Sequence, residues 1–346
     1  MTWVTWRQHR VEAAIIVIVV LLTAILLLVT GPGVAAAYQQ AGMPAYEHGG
    51  QATCAMTDTD PCWFVKYQFV LSAIDLTASS YIPFLFFLPV LFGMFVGAPL
   101  VAHELEQGTH RLAWTQSITS RRWLLVKVGW LLGGIVLPFL LLSVLYGWWR
   151  GPITTAAGPW GLWFAESAKT ANSGYGYDGR GFDVQGLVPF AYALFAFMLG
   201  VATGTMVRRA VPAMAMTLVV FVLVRVLIEV FLRPSYLPLA VTTWAYEPKN
   251  PPPIVQTGWV LSADTVDAQG NENSLTAINQ ICPPQKGGGG LADLFACGRA
   301  HSFRSRAFFQ PADRFWLFQG IESVLFLLLT GGLLLVTLWW NRYRVA

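Results

Sequence analysis

Six long apolar runs alternate with polar segments along this chain of 346 residues. Each run is longer than the roughly 18 residues that a helix needs to cross a hydrocarbon core of about 30 Å. Backbone groups in lipid must bond to one another, and the runs lack the strict alternation of a β-barrel, so each is predicted to be a helix. The predicted spans are residues 13–31, 81–102, 124–148, 187–207, 211–232 and 315–340. This pattern predicts an all-α integral membrane protein with six transmembrane helices.

The segments that connect these spans fall alternately on two sides of the membrane. One side receives the long segments, residues 32–80, 149–186 and 233–314. The other side receives the shorter segments, residues 1–12, 103–123, 208–210 and 341–346. With Lys127 near the adjoining end of the third span included, the short-segment side collects ten basic and three acidic residues, a balance of +7, whereas the long segments hold 11 basic and 13 acidic residues, a balance of −2. Because basic residues are retained in the cytoplasm, the short segments and both termini are predicted to be cytoplasmic.

Composition agrees with a membrane protein, and one alternative concerns the first span. Hydrophobic residues make up 55% of the chain and charged residues only 12%, which excludes an ordinary soluble domain. Ala35 and Ala37 form an A-x-A pattern that could end a cleaved signal peptide. The apolar run of residues 13–29 is longer than the usual signal core of about 7–15 residues, so a retained span is favoured.

The four cysteines all lie in the predicted outer segments. They are Cys54, Cys62, Cys282 and Cys297. Disulfide bonds persist in that compartment, although the sequence alone permits three connectivities. A metal site is the rival interpretation, but neither spacing is a C-x-x-C pair and no histidine pattern accompanies it. The last outer segment is rich in proline and glycine, which predicts an irregular extracytoplasmic cap.

Charges inside the predicted spans are costly and therefore informative. Arg225 and Glu229 lie in the fifth span, and Glu322 lies in the sixth. Because Arg225 and Glu322 are each about seven residues from the same end of their spans, we expect them to pair, with Glu229 assisting. The favoured interpretation is that this pair locks the fifth and sixth spans together, and the alternative is that it lines a polar part of a transport path.

Small residues recur at helical spacing in two spans. Gly93 and Gly97 lie in the second span, and Ala196, Gly200 and Gly204 lie in the fourth. Small residues four positions apart allow helices to approach closely. The sequence favours packing within one chain over packing between two copies.

The polar block at residues 103–123 and the N-terminus are the other distinctive features. On physical grounds the block is equally an amphipathic contact for a cytoplasmic partner or an ordinary basic loop. At the N-terminus, two tryptophans share one helix face and two arginines share another, namely Trp3 with Trp6 and Arg7 with Arg10. This arrangement predicts an interfacial helix over residues 1–12.

The block carries a family resemblance. Residues 102–127, AHELEQGTHRLAWTQSITSRRWLLVK, resemble the E-x-E-x-G-T…(S/T)R…K signature between the second and third spans of type 2 ABC exporter permeases. TWRQHR at residues 5–10 and FDVQGLVPFAYALFAF at residues 182–197 resemble the actinobacterial branch. The resemblance covers all six predicted spans, and the cytoplasmic loop is its most specific part.

The resemblance implies that a separate subunit supplies the energy. Its partners would be an ATP-binding cassette ATPase and a second permease copy or a homologous permease, in the lipid of a bacterial plasma membrane, with no nucleic acid. The chain would hold no cofactor or metal itself, because ATP and Mg²⁺ bind to the ATPase. The cargo would be a hydrophobic or amphipathic molecule, such as a drug, an antibiotic, a lipid or a peptide. The coupling residues carried over are Glu104, Glu106, Gly108, Thr109, Arg111, Trp114, Arg121 and Arg122.

Motifs for other chemistry are absent from the sequence. It contains no G-x-x-x-x-G-K-[ST] phosphate loop, no G-x-S-x-G elbow and no H-E-x-x-H helix. The chain is therefore predicted to be a transport subunit without catalytic residues of its own. A non-transporting sensor or assembly subunit remains the alternative, and a membrane-embedded enzyme is less favoured.

Overall fold

The computed structural model describes residues 2–40, 82–107, 120–157, 180–246, 252–273, 278, 280–282 and 291–345. Helices dominate this part of the chain: α1 Thr2–Gln40, α2 Ile82–Phe92, α3 Ala98–Glu106, α4 Ser120–Ala157, α5 Val188–Val207, α6 Ala210–Leu227, α7 Pro253–Gln256, α8 Leu291–Ala300 and α9 Phe315–Trp340. Wider π-helical turns extend three of the membrane segments at Gly93–Gly97, Ile228–Leu232 and Asn341–Val345. Short 3₁₀ turns lie at Arg180–Val184, Arg233–Ser235 and Ala312–Arg314.

Five helical segments of the described part are long and apolar enough to cross a membrane. They are Val17–Gln40, Phe86–Glu106, Val188–Val207, Ala210–Ser235 and Ala312–Tyr343. Helix α4 lies where the sequence predicts a further span, so the count of six stays a prediction. Helix α1 is continuous, and no break separates the predicted interfacial helix from the first span in the described backbone. The side chains of its first turns lie outside the described part, namely those of Trp3, Trp6, Arg7 and Arg10.

Helix α5 is the centre of the membrane body. About 83% of its apolar window is buried, against 22% for the span that contains α6 and 22% for the span that contains α9. The difference arises because α2, α3, α4, α6 and α9 all pack around α5. Outward faces of α6 and α9 are apolar and exposed, as expected for surfaces that meet lipid.

The small residues of α5 and of the second span make this close packing possible. An added Cβ at any of the four glycines would meet backbone of the facing segment: Gly93 meets Ala196, Gly97 meets Phe197, Gly200 meets Gly93, and Gly204 meets Ala98. Real Cβ atoms do not tolerate such contacts, so the two segments approach to backbone contact. The prediction that these residues pack within one chain is confirmed.

A four-stranded antiparallel sheet follows the fifth span. Its strands are β1 Ala240–Ala245, β2 Trp259–Val266, β3 Glu272–Asn273 and β4 Arg304–Gln310, in the order β1-β4-β2-β3. The described part of the chain is mostly helical, as predicted, but it is not all-α: the last outer segment, for which the sequence predicts an irregular cap, carries this sheet. Strands β2 and β4 pair although residues 267–303 lie between them in the sequence. The prolines and glycines of that stretch obscure this relation.

A disulfide bond joins Cys282 to Cys297, with the Cα atoms 5.9 Å apart. The preference for a disulfide over a metal site is confirmed for this pair, because both sulfur atoms are consumed in the bond. His301 lies beside it, with a ring nitrogen within 4.8 Å of both sulfur atoms. Cys54 and Cys62 lie outside the described residues.

Candidate functional site

Four charged side chains are buried together where α5, α6 and α9 meet the sheet. Their residues are only 0–6% exposed: Asp183, Arg225, Arg233 and Glu322. Two positive and two negative groups make the cluster neutral. We call these four residues the charge cluster, and we call the end of the helices at which they lie the sheet end.

Arg233 is the centre of the charge cluster. Its Nε donates to Oε2 of Glu322 at 2.9 Å, and its Nη2 donates to Oε1 of Glu322 at 2.8 Å, so the pair is bidentate. The same Nη2 lies 2.6 Å from Oδ1 of Asp183. One guanidinium group thus joins the segment before α5 to the interior of α9. Charge-assisted bonds of this geometry are the stronger class of hydrogen bond.

Arg225 completes the charge cluster from about two turns earlier in the fifth span. Its Nη2 lies 3.2 Å from Oδ2 of Asp183, and its guanidinium carbon lies 3.7 Å from the centre of the Tyr192 ring. The Tyr192 hydroxyl donates to Oε1 of Glu322 and lies 3.2 Å from Oδ1 of Asp183. Each charge therefore has a partner of opposite sign, which a buried charge requires.

A π-helical turn aligns the two arginines. In a regular α-helix, residues eight positions apart differ by about 80° around the axis, because each residue advances by ~100°. The turn at Ile228–Leu232 holds about one residue more than an α turn, which reduces this difference to about 20°. Arg225 and Arg233 therefore point to the same side of the fifth span, and both reach Asp183.

The segment before α5 is fixed in place by a residue of α9. Oε1 of Gln319 accepts hydrogen bonds from the backbone amides of Leu187 and Val188, both at 3.0 Å, at the start of α5. Its Nε2 donates to the carbonyl of Phe182 at 3.0 Å. Gly186 has a φ of +73°, and a side chain there would collide with the Gln319 amide. These contacts hold Asp183 against the arginines.

Electrostatics favours the charged form of Asp183. Burial by itself raises the pKa of this carboxyl group. The guanidinium groups of Arg225 and Arg233 outweigh that effect, so the pKa of Asp183 lies below its ordinary value. The Asp183 carboxylate therefore stays ionised at neutral pH.

The structure places two of the three predicted intramembrane charges in this cluster, but their pairing differs from the prediction. Arg225 pairs with Asp183 and not with Glu322, because Arg233 already occupies both oxygens of Glu322. Glu229 is half-buried in the π-helical turn between the two arginines. Prediction from sequence missed Asp183 and Arg233, because both lie just outside the predicted spans, where a charge is not unusual.

The opposite end of the helices, which we call the loop end, carries the start of the predicted coupling block. Glu104 is half-buried and Glu106 is exposed. Oε2 of Glu106 accepts a hydrogen bond from the backbone amide of Ala210 at 3.4 Å, at the first turn of α6. An acidic group is stabilised at a helix N-terminus by the unpaired amides and the helix dipole. This contact connects the block to the short turn between α5 and α6.

Most of the predicted coupling residues lie beyond this point. Gly108, Thr109, Arg111 and Trp114 lie outside the described residues. Arg121 and Arg122 belong to the first turn of α4, and their side chains are likewise outside the described part. Their role as a coupling site stays a prediction.

Comparison with known proteins decides the family. A family model described as ABC-2 membrane transporter related matches residues 17–233, more than half of the chain. The chain belongs to this family. The resemblance to type 2 ABC permeases is therefore confirmed, and the protein is a multi-pass membrane protein of a transporter family. No curated protein and no solved structure shows a significant match.

The matched range has a structural meaning. It contains the polar block and most of the charge cluster, and its last residue is Arg233. The sheet and α9 lie beyond it, so Glu322 and Gln319 reach the cluster from outside the matched range. The ABC-2 membrane transporter related part of the chain is thus held by residues of the segment that follows it.

Proposed function

We propose that this chain is the membrane-spanning permease subunit of an ABC exporter. In this proposal a separate ATPase subunit binds and hydrolyses ATP with Mg²⁺, and the chain turns that energy into efflux of a hydrophobic or amphipathic molecule. A second permease copy or a homologous permease completes the assembly in a bacterial plasma membrane, with both termini in the cytoplasm. The observation that carries the proposal is the family match over residues 17–233.

The loop end supplies the coupling contact in this proposal. Glu106 reaches the start of α6, so a force on the polar block acts on the fifth span as well as on the second and third. The exposed basic residues Arg208 and Arg209 lie in the same turn. A surface with acidic and basic groups on a rigid support suits docking in a groove of a cytoplasmic ATPase.

The charge cluster supplies the lock at the sheet end. The guanidinium group of Arg233, in the fifth span, forms hydrogen bonds both to the segment before α5 and to α9. The sheet is tied to the same place, because Arg314 donates to the carbonyl of Pro238 at 2.6 Å and Gln310 donates to that of Leu237 at 2.9 Å. Spans five and six therefore move together at this end when the loop end is pulled.

Association with an ATPase tests the proposal first. The candidate ATPase carries an affinity tag and is co-purified with this chain in mild detergent. Wild type should be retained, whereas Gly108 and Thr109 both changed to tryptophan should release it, because bulky side chains would distort the docking loop. Glu272→Lys is the matched control, because its side chain is 72% exposed at the far end of the molecule.

The outcomes separate the alternatives. Retention of wild type and of Glu272→Lys, with loss of the loop variant, supports the exporter permease. Retention of the ATPase by wild type and by both variants would assign the ATPase contact to another surface. If no ATPase is retained by wild type, the sensor or assembly subunit becomes the better proposal.

A further inference from the structure

A second feature of the sheet end is a pocket of about 480 Å³ between α4, the segment before α5 and the first turn of α9. Its volume falls within the range of about 300–1,000 Å³ that is typical of small-molecule sites. Phe315 and Trp316 form one wall, and Gln185 and Leu187 form another. The pocket is separate from the loop end and does not include the four residues of the charge cluster.

The third wall is one face of α4. Leu140, Ser143, Val144, Gly147 and Thr154 line the pocket and recur at helical spacing. At ~1.5 Å per residue, the face extends about 21 Å from the first of these residues to the last. The pocket is therefore elongated along the direction of the membrane helices, so a long, narrow molecule fits it better than a compact one.

The pocket opens toward the surface that meets lipid. Val144 is 72% exposed and Trp316 is 66% exposed, although both line the pocket. Leu187 is 48% exposed on the same rim. Large apolar side chains with this exposure lie against hydrocarbon in a membrane protein. A ligand can therefore enter sideways from the bilayer.

Hydrogen-bonding groups line the pocket, but charges do not. The Ser143 hydroxyl is buried and has no hydrogen-bond partner among the described residues. Thr154 donates to backbone carbonyls of its own helix, at 3.0 Å to Arg150 and 2.9 Å to Gly151, which leaves its oxygen free to accept. A buried hydroxyl in apolar surroundings is costly without a partner. An uncharged polar group on a ligand would satisfy it.

We infer that this pocket binds an elongated amphiphile from the bilayer, apolar along most of its length and carrying uncharged hydrogen-bonding groups. Its assignment as the site where cargo is loaded rests on the proposed exporter function. The site can sense an occupant, because Phe315 contacts Phe182 with the ring centres 5.6 Å apart, next to Asp183 of the charge cluster. An occupant thus touches the segment that the lock holds in place.

Photolabelling tests the binding claim directly. The probe is a long-chain alcohol with a diazirine in its tail and a terminal alkyne, added to the chain in phosphatidylcholine nanodiscs. Gly147→Leu fills the pocket, and Gly134→Leu is its matched control, because both glycines lie on α4 with open space at the Cβ position and only Gly147 lines the pocket. Both variants must elute from size exclusion as wild type does.

The expected result is specific. Wild type should be labelled within α4 and at the start of α9. Labelling of Gly147→Leu at these places should be about tenfold lower, because the added side chain fills the pocket. Gly134→Leu should stay within about twofold of wild type. Ser143→Ala should weaken binding by about 2- to 10-fold, as expected for one net hydrogen bond.

Other results would overturn the inference or limit it. Equal labelling of Gly147→Leu and wild type, or labelling spread over α6, would refute the binding site. Loss of labelling in Gly147→Leu with unchanged stimulation of the ATPase by the probe would refute the cargo role. Labelling as expected with no ATP turnover in wild type would refute the exporter function while leaving the binding site established.

Discussion

Removal of the Arg233 side chain is the sharpest test of the charge cluster. The change Arg233→Met deletes three hydrogen bonds to carboxylates, at 2.9, 2.8 and 2.6 Å, and leaves a buried net charge of −1. Removal of one partner from a buried ion pair typically costs about 3–5 kcal/mol. The midpoint temperature of thermal unfolding should therefore fall by roughly 5–15 °C. It is measured as loss of the monodisperse size-exclusion peak after heating in detergent.

A second variant restores neutrality and separates charge from packing. Arg233→Met combined with Glu322→Gln removes one charge of each sign and leaves the pair between Arg225 and Asp183 intact. This double variant should recover about 2 kcal/mol relative to Arg233→Met alone, because no unpaired charge remains buried. Arg306→Met is the control, since its ion pairs with Asp264 and Glu272 lie on the partly exposed sheet, where the loss of one partner costs less than in the buried cluster.

Two outcomes would refute this account of the cluster. Arg233→Met could unfold within about 1 kcal/mol of wild type, which would mean that the carboxylates are solvated or neutral. The double variant could also be no more stable than the single one, which would mean that lost packing rather than unpaired charge sets the cost.

Three further predictions concern other parts of the fold. Gly200→Ala should destabilise the protein by about 1–3 kcal/mol in the same thermal assay, because the added Cβ would meet backbone of the second span. Gly134→Ala is the control: its Cβ would enter open space, so this change should be neutral or stabilise the protein by up to about 1 kcal/mol. Cys282→Ser should lower the free energy of unfolding by about 3 kcal/mol and speed proteolysis of the sheet segment, because it removes the disulfide bond that closes a loop between positions 15 residues apart. An unchanged digestion rate would count against a stabilising role for this bond. The pKa of Asp183 is lowered in the folded state, so the contribution of its carboxylate to stability is present above the unfolded pKa of ~3.9 and is lost as pH falls through the folded pKa. The difference in unfolding free energy between wild type and Asp183→Asn should therefore be constant from about pH 8 to pH 5 and shrink below about pH 4.

Hydropathy was sufficient to locate the fourth and sixth predicted spans. Helix α5 begins one residue after the predicted start of the fourth span, and α9 has the bounds predicted for the sixth. Long apolar runs carry this information locally, because a single run must satisfy its own backbone bonds in lipid. The pairing of β2 with β4 could not be predicted in the same way, since each strand is short and its partner is distant in sequence.

The charge cluster was predicted only in part, for a physical reason. Arg225 and Glu322 stood out because a charge inside an apolar run is costly. Asp183 and Arg233 did not stand out, because they lie at span ends, and no hydropathy signal marks the π-helical turn that brings the arginines together. The motif FDVQG at residues 182–186 was the one available signal, and it contains both the carboxylate and the glycine with positive φ.

The most direct test of the exporter function is the rate of ATP hydrolysis by the candidate ATPase, reconstituted in nanodiscs with this chain and compared across loop variants. The account predicts that wild type and Glu272→Lys change the rate of the isolated ATPase equally, and that Glu104→Lys abolishes this change. Identical rates with wild type, with Glu104→Lys and without the chain would contradict the coupling of this protein to ATP hydrolysis.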